Sequence, residues 1–204
     1  MDVLNTSIQL TYRPSAFGPL FEAKGSTADQ MPPAVQNVFR EAILHRDVEK
    51  NFLLALEKFR LIAESGYPEA MFSAGLLLKN NLQDSRQAIE WFTRAAEHGH
   101  RDSLFYLGFL FAVDLGEFET AAHWYQKAVE KGCIEALFFL GVIYKDDLHD
   151  YPTAISWFQK MADLGYAEGM LYLGFIYRDH LNDSNRANHW FDRYAAAMVE
   201  HSHL

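Results

Sequence analysis

Four tryptophans, Trp91, Trp124, Trp157 and Trp190, stand 33 residues apart, and no other feature constrains this chain so tightly. Two sets of glycines keep the same step, Gly75, Gly108, Gly141 and Gly174 in one and Gly66, Gly99, Gly132 and Gly165 in the other. A fixed period of about 20–50 residues marks a tandem array, in which each copy buries its apolar face only against its neighbours. Function in such a chain is sought on a surface made by repetition, not in one central cleft.

The clear copies span 67–99, 100–132, 133–165 and 166–204. Each opens with a first helix holding a small residue (Ala70, Ser103, Ala136, Gly169). The periodic glycine follows five positions on, and Leu78, Phe111, Tyr144 or Tyr177 three beyond that. Small residues let two helices approach, and the large one is read as filling the space beside them. An acidic residue then keeps the step (Asp84, Glu117, Asp150, Asp183), which predicts the N-terminus of a second helix. That helix carries Ala88, Ala121, Ala154 or Ala187 three residues before the tryptophan and closes at a glycine, except in the last copy. The expected architecture is all-α, a series of helical hairpins.

Residues 34–66 read as a degenerate first copy that caps the array. Val35, Phe39 and Ile43 share one helix face, and Ala55, Phe59 and Ala63 mark a second helix before Gly66. Residues 1–33 form an irregular leader with Pro14, Pro19, Pro32 and Pro33. The alternation of Ile8, Leu10 and Tyr12 suits an extended segment laid on another surface, and a disordered tail is the other reading.

Half of the 204 residues are apolar, enough for one folded body with a sizeable core. The net charge of -9 argues against a nucleic-acid binder, which needs clustered Lys and Arg, and favours a protein partner with a basic surface. A single cysteine, Cys133, makes no internal disulfide. Asp2 follows Met1 with no apolar core behind a basic start, and no run approaches the roughly 18–20 apolar residues of a membrane span. The expectation is a cytoplasmic protein without membrane or nucleic-acid partners.

At 100° per residue, positions two and six after the small residue point away from the stripe formed by Ala70, Ala74, Gly75 and Leu78 and their equivalents. They are Phe72, Phe105, Phe138 and Leu171 in one row, and Leu76, Phe109, Val142 and Phe175 in the other. Two readings stand open. The rows line a partner-binding surface, or they are buried between adjacent copies, as expected of a helix apolar all round. An acidic row, Glu69, Asp102, Glu135 and Glu168, sits in the first turn of the first helices, where the helix dipole alone accounts for it. Near the other end lie Lys79, Lys145 and Arg178, with Ala112 interrupting. Apolar anchors between an acidic and a basic rim suit a protein segment held by hydrophobic contacts and oriented by charge.

Enzyme chemistry finds no constellation. His98 and His100 flank Gly99, and His201 and His203 end the sequence, but neither pair has a third metal ligand in view. Cys133 beside Gly132, with Lys131 nearby, reads as a lone packed thiol, and no glycine-rich phosphate loop is present. The tryptophans, beside Phe92, Tyr125, Phe158 and Phe191, read as core markers spread one per copy. No cofactor, metal or catalytic residue is expected. Ala195, Ala196, Ala197, Met198 and Val199 fall where a further copy would pack, so a second molecule of the chain (a homodimer through the last helix) or the leader is expected to cover them.

The segments EALFFLGVIY (135–144), AISWFQKMADLGYAEG (154–169) and AIEWFTRAAEHGH (88–100) resemble the Sel-1-like repeat family, relatives of the tetratricopeptide repeat. The resemblance covers about 67–200, with an echo from 34. Departures are Thr120 and Ala122 around Ala121, short inter-helix loops, and Met198 in place of the closing glycine. It implies a right-handed α/α solenoid whose first helices line a concave groove. It also implies a non-catalytic scaffold that binds a protein or peptide segment there. Some compact relatives are bacterial immunity proteins that neutralise a toxin, which supplies an alternative. Others, rich in disulfides, are linked to β-lactam hydrolysis, and their paired cysteines are missing here.

Overall fold

The computed structural model describes residues 31–201, and among them every regular element is helical. Ten helices follow in order: α1 (Pro33–Asp47), α2 (Phe52–Glu64), α3 (Pro68–Leu77), α4 (Ser85–Glu97), α5 (Arg101–Leu110), α6 (Phe118–Glu130), α7 (Glu135–Val142), α8 (Tyr151–Asp163), α9 (Ala167–Phe175) and α10 (Ser184–His201). They form two compact units divided after Gly116, the first holding α1 to α5 and the second α6 to α10. Most of residues 1–33, with their Ile8, Leu10 and Tyr12, lie outside the described residues, as does His203.

Local chemistry sets the helix boundaries. Pro33 and Pro68 open α1 and α3, where a missing N–H costs nothing and the fixed φ suits the first turn. Asp84 accepts from the Gln87 amide at 2.9 Å, Asp150 from Thr153 at 3.1 Å and Asp183 from Arg186 at 2.9 Å, so the acidic positions are N-caps of second helices. Glu117 makes no side-chain cap bond. Asn51 caps α2 through the Leu54 amide at 3.2 Å. Gly66, Gly99, Gly132 and Gly165 end second helices at φ of 83° to 89°, a region that penalises any Cβ.

The turn inside each hairpin is the least legible part of the sequence. Every first helix from α3 onward widens into one π-helical turn, at Leu78–Leu82, Phe111–Leu115, Ile143–Asp147 and Ile176–His180. A left-handed residue follows: Gln83, Gly116, His149 and Asn182, with φ of 52° to 68°, and Lys50 at 56° plays the part after α1. These positions also recur every 33 residues, yet only one is glycine. The reversal turns the next amide back onto the first helix. Asp84 N–H donates to the Leu78 carbonyl at 2.9 Å and Asp150 N–H to that of Tyr144 at 2.7 Å, which holds each carboxylate in its capping position.

Packing within a hairpin depends on the first-helix glycine. A Cβ on Gly75 would lie 2.7 Å from the Phe92 ring and one on Gly141 2.5 Å from that of Phe158, and Gly174 faces Phe191 in the same way. These rings come from the residue after each tryptophan. Phe92, Tyr125 and Phe158 are fully buried, whereas Trp91 and Trp190 sit nearer the surface and Trp124 and Trp157 are only half-buried. Trp91 and Trp190 nevertheless belong to the core, and in the last pair the tryptophan is the buried member while Phe191 is half-buried. Each tryptophan also holds a cation three residues on: Arg94 over Trp91 at 4.3 Å, Lys127 over Trp124 at 4.5 Å, Lys160 over Trp157 at 3.8 Å and Arg193 over Trp190 at 4.6 Å.

Candidate interaction surface on the first helices

The aromatic that follows each tryptophan meets a ring from the next first helix. Phe92 stacks on Tyr106 (centroids 5.3 Å apart, planes at 26°), Tyr125 on Phe139 (5.3 Å, 19°) and Phe158 on Tyr172 (4.9 Å, 17°). Tyr106, Phe139 and Tyr172 stand three positions after the small residue, a row that the choice of the second and sixth positions passed over. Its signal is nonetheless visible in the sequence, since the period repeats it.

The nominated rows divide by burial. Phe72, Phe105, Phe138 and Val142 are all less than a tenth exposed. In the first unit Phe72 sits against both Phe92 (5.6 Å) and Tyr106 (5.4 Å), and in the second Phe138 lies edge-on to Tyr172 at 5.3 Å. Leu171, Leu76, Phe109 and Phe175 keep partial exposure. Half of the apolar set is therefore presented on the first helices while the other half stiffens the copies beneath.

Cations stand over the rings. Lys79, in the π turn after α3, lies 4.7 Å from the Phe109 ring centroid in the first unit. In the second, Lys145 lies 5.9 Å from Tyr172, and Arg178 lies 5.1 Å from Phe175 while bonding Asp179 at 2.6 Å. That guanidinium holds the Asp179 carboxyl below the usual range. Burial pushes the Tyr172 phenol up to about 12, so it stays a neutral hydroxyl. Asp147, in the π turn after α7, is raised to about 6, chiefly by burial and then by Asp146 beside it.

The acidic row is structurally engaged. Glu69, Asp102, Glu135 and Glu168 each occupy a first turn. Glu69 lies 3.4 Å from His100 Nε2, Asp102 bonds Arg101 at 2.8 Å, and Cys133 Sγ donates to Glu135 at 3.3 Å. His100 stacks on Phe72 at 4.3 Å, and its Nδ1 is 3.0 Å from the hydroxyl of fully buried Ser103. The histidine and the thiol thus occupy equivalent joints 33 residues apart, and His100 ties the start of its first helix to the hairpin before it. Among the described residues no three His, Cys, Asp or Glu side chains gather as a metal site. No described helix is long and apolar enough to cross a membrane.

Antiparallel helix pairs joined through glycine-to-ring contacts and ring-to-ring stacks define a protein built of helical-hairpin repeats. Three segments, 68–100, 102–133 and 134–166, match the Sel1 repeat, so the chain contains three Sel1 repeats, and it has the all-α fold of the SLR solenoids. It is similar to c5321, a protective antigen of uropathogenic Escherichia coli displaying an SLR fold (26% identity, TM-score 0.61). That match covers 83% of this chain and 39% of the length of c5321. A Sel1 repeat protein from Oxalobacter formigenes is 25% identical with a TM-score of 0.55, over 83% of this chain and 75% of that one. MamA from Desulfovibrio magneticus RS-1 shares the fold at 21% identity and a TM-score of 0.59, over 87% and 98% of the two chains. A comparison with curated proteins finds no match. Sel1 repeats mediate protein-protein interaction.

Proposed function

We propose that the chain is a non-catalytic scaffold that grips an extended or helical protein segment on the first helices of its units. The observation that carries this is the pairing of a partly exposed apolar side chain with a cation at the helix end. Phe109 pairs with Lys79 in one unit and Phe175 with Arg178 in the other, with Leu76 and Leu171 beside them. An aromatic face under a cation favours a segment with apolar anchors and a carboxylate nearby. The buried phenylalanines serve the same site from below by fixing the spacing of the helices. Panning a phage-displayed peptide library on the full chain tests this. Enriched peptides should lose affinity for a Leu76→Ala, Phe109→Ala variant and for Lys79→Glu, both first shown to be folded by circular dichroism. Peptides that bind all forms equally refute it.

A second reading, an immunity protein that neutralises a cognate toxin, is favoured by the net charge of -9, which would steer a basic partner onto the scaffold. A purified basic toxin that keeps full activity under excess of the chain eliminates that candidate. The paired cysteines of the relatives linked to β-lactam hydrolysis have no counterpart in this sequence, whose single cysteine is Cys133.

A further inference from the structure

The second helix of the first hairpin, α2, departs from every later second helix on its outer side. Counting in steps of 33, Leu53 stands where the later copies carry Arg86, Glu119, Pro152 and Asn185, and Leu61 stands where they carry Arg94, Lys127, Lys160 and Arg193. Leu54 likewise replaces Gln, Thr or Arg. Those later positions are exposed or half-buried even though each follows another copy, so the helix register itself turns them outward. On α2 the same positions are apolar and open: Leu53 is 72% exposed, Leu61 60%, and Leu54 is half-buried. With Leu56 they line a groove of about 560 Å3. The cations at its rim are engaged elsewhere, Lys58 with Glu41 at 2.7 Å and Arg60 over Trp91 at 5.7 Å.

The surface is too small to hold a separate molecule. Four leucines on one helix fall well short of the roughly 1,200–2,000 Å2 that a stable interface buries. Antiparallel pairing of α2 with a second copy, Leu53 on Leu61, would also set Glu57 against Glu57 at the two-fold axis, and like charges in an interface are unfavourable. A tethered segment needs far less area, because attachment sets an effective concentration near about 1 mM.

The chain carries such a segment. Met31 is 3% exposed and its carbonyl accepts from Gln36 Nε2 at 2.9 Å, so the entry to α1 is fixed. Phe39 meets Phe59 at 5.4 Å and Glu41 meets Lys58, which runs α1 antiparallel to α2 and brings that entry beside the Glu64 end of the groove. Residues 13–30 reach about 60 Å when extended, against about 20 Å for the whole of α2. Leu53 and Leu61 stand about 12 Å apart along the helix. Ile8, Leu10 and Tyr12 put three apolar side chains on one side of an extended chain over about 13 Å, the same span.

We propose that the outer face of α2 is the docking site of the chain's own leader, with Ile8, Leu10 and Tyr12, which lie outside the described residues, as its anchors over Leu53, Leu54 and Leu61. This site is separate from the cation-flanked residues of the first helices.

The test uses the full chain with Cys133→Ser, so that the only thiols are introduced ones. Leu10→Cys is combined with Leu53→Cys in one variant and with Arg86→Cys, the equivalent position on α4, in another. A second pair, Leu10→Cys with Leu61→Cys against Leu10→Cys with Arg94→Cys, is held to the same criterion. Folding is checked by circular dichroism, and disulfide formation is followed by non-reducing electrophoresis. The internal disulfide should form at least tenfold faster to α2 than to α4, and adding Ile8→Asp and Tyr12→Asp should return it to the α4 rate. Equal rates to the two helices leave the groove to a separate polypeptide and overturn the proposal. Cross-linked dimers in place of the internal disulfide give the groove to a second copy and overturn it, as does a fast rate that survives the two aspartates.

Discussion

Replacing Gly141 by alanine tests whether the glycine-to-ring contact organises the hairpins. Two opposed effects follow from the substitution. In a helix interior, alanine is favoured over glycine by about 1 kcal/mol. Against this, the new methyl would lie 2.5 Å from the Phe158 ring, which is fully buried, stacked on Tyr172 and edge-on to Phe138 at 6.4 Å. The ring cannot withdraw without disturbing both neighbours, and overpacking of that kind costs about 1–3 kcal/mol. The net expectation is a loss of about 1–2 kcal/mol. Phe158→Ala alone should cost about 3–5 kcal/mol through the cavity it leaves. In that background the methyl has room, so adding Gly141→Ala should now stabilise by about 1 kcal/mol. The sign reversal is read from urea unfolding followed at 222 nm for the wild type, the two single variants and the double variant. A Gly141→Ala effect of the same sign and size in both backgrounds would refute the reasoning.

Three further outcomes follow. Asp147 holds its proton more tightly folded than unfolded, so its ionisation erodes stability as pH rises from about 4 through about 6. Asp147→Asn should therefore match the wild type at pH 4 and exceed it at pH 8 by about 1 kcal/mol after allowance for solvent screening, as thermal melts at the two pH values will show. His149 sits at φ 54°, so His149→Gly should stabilise by about 1 kcal/mol, whereas Gly116→Ala at φ 68° should destabilise by a similar amount, both measurable by chemical unfolding. Trp157 is half-buried beneath Lys160, and Trp157→Ala should cost about 1–2 kcal/mol, clearly less than Phe158→Ala in the same assay.

Fractional burial, unlike helix boundaries, was only half readable at the candidate surface. A helical wheel places Phe105 and Phe109 on neighbouring faces, both apolar, and nothing in their types separates the buried one from the half-exposed one. Tyr106 was legible as a periodic aromatic, but its stack on Phe92 required the position of a helix from the preceding copy.

What the sequence by itself determined is what a residue and its near neighbours decide. The 33-residue step set the hairpin series, Asp84, Asp150 and Asp183 declared their helix starts, and Gly66, Gly99, Gly132 and Gly165 declared the ends. Each of these rests on backbone preferences or hydrogen bonds spanning fewer than about six residues. Tertiary structure alone decided how deeply each member of the Trp-aromatic pairs is buried, which phenylalanines remain on the surface, and that Gln83 and His149 adopt a left-handed turn. Those outcomes are imposed by helices packed from tens of residues away. Contact with Gly75 or Gly141 fixes the ring that faces it, and closure of the hairpin holds an unfavourable φ that the side chain itself would not choose.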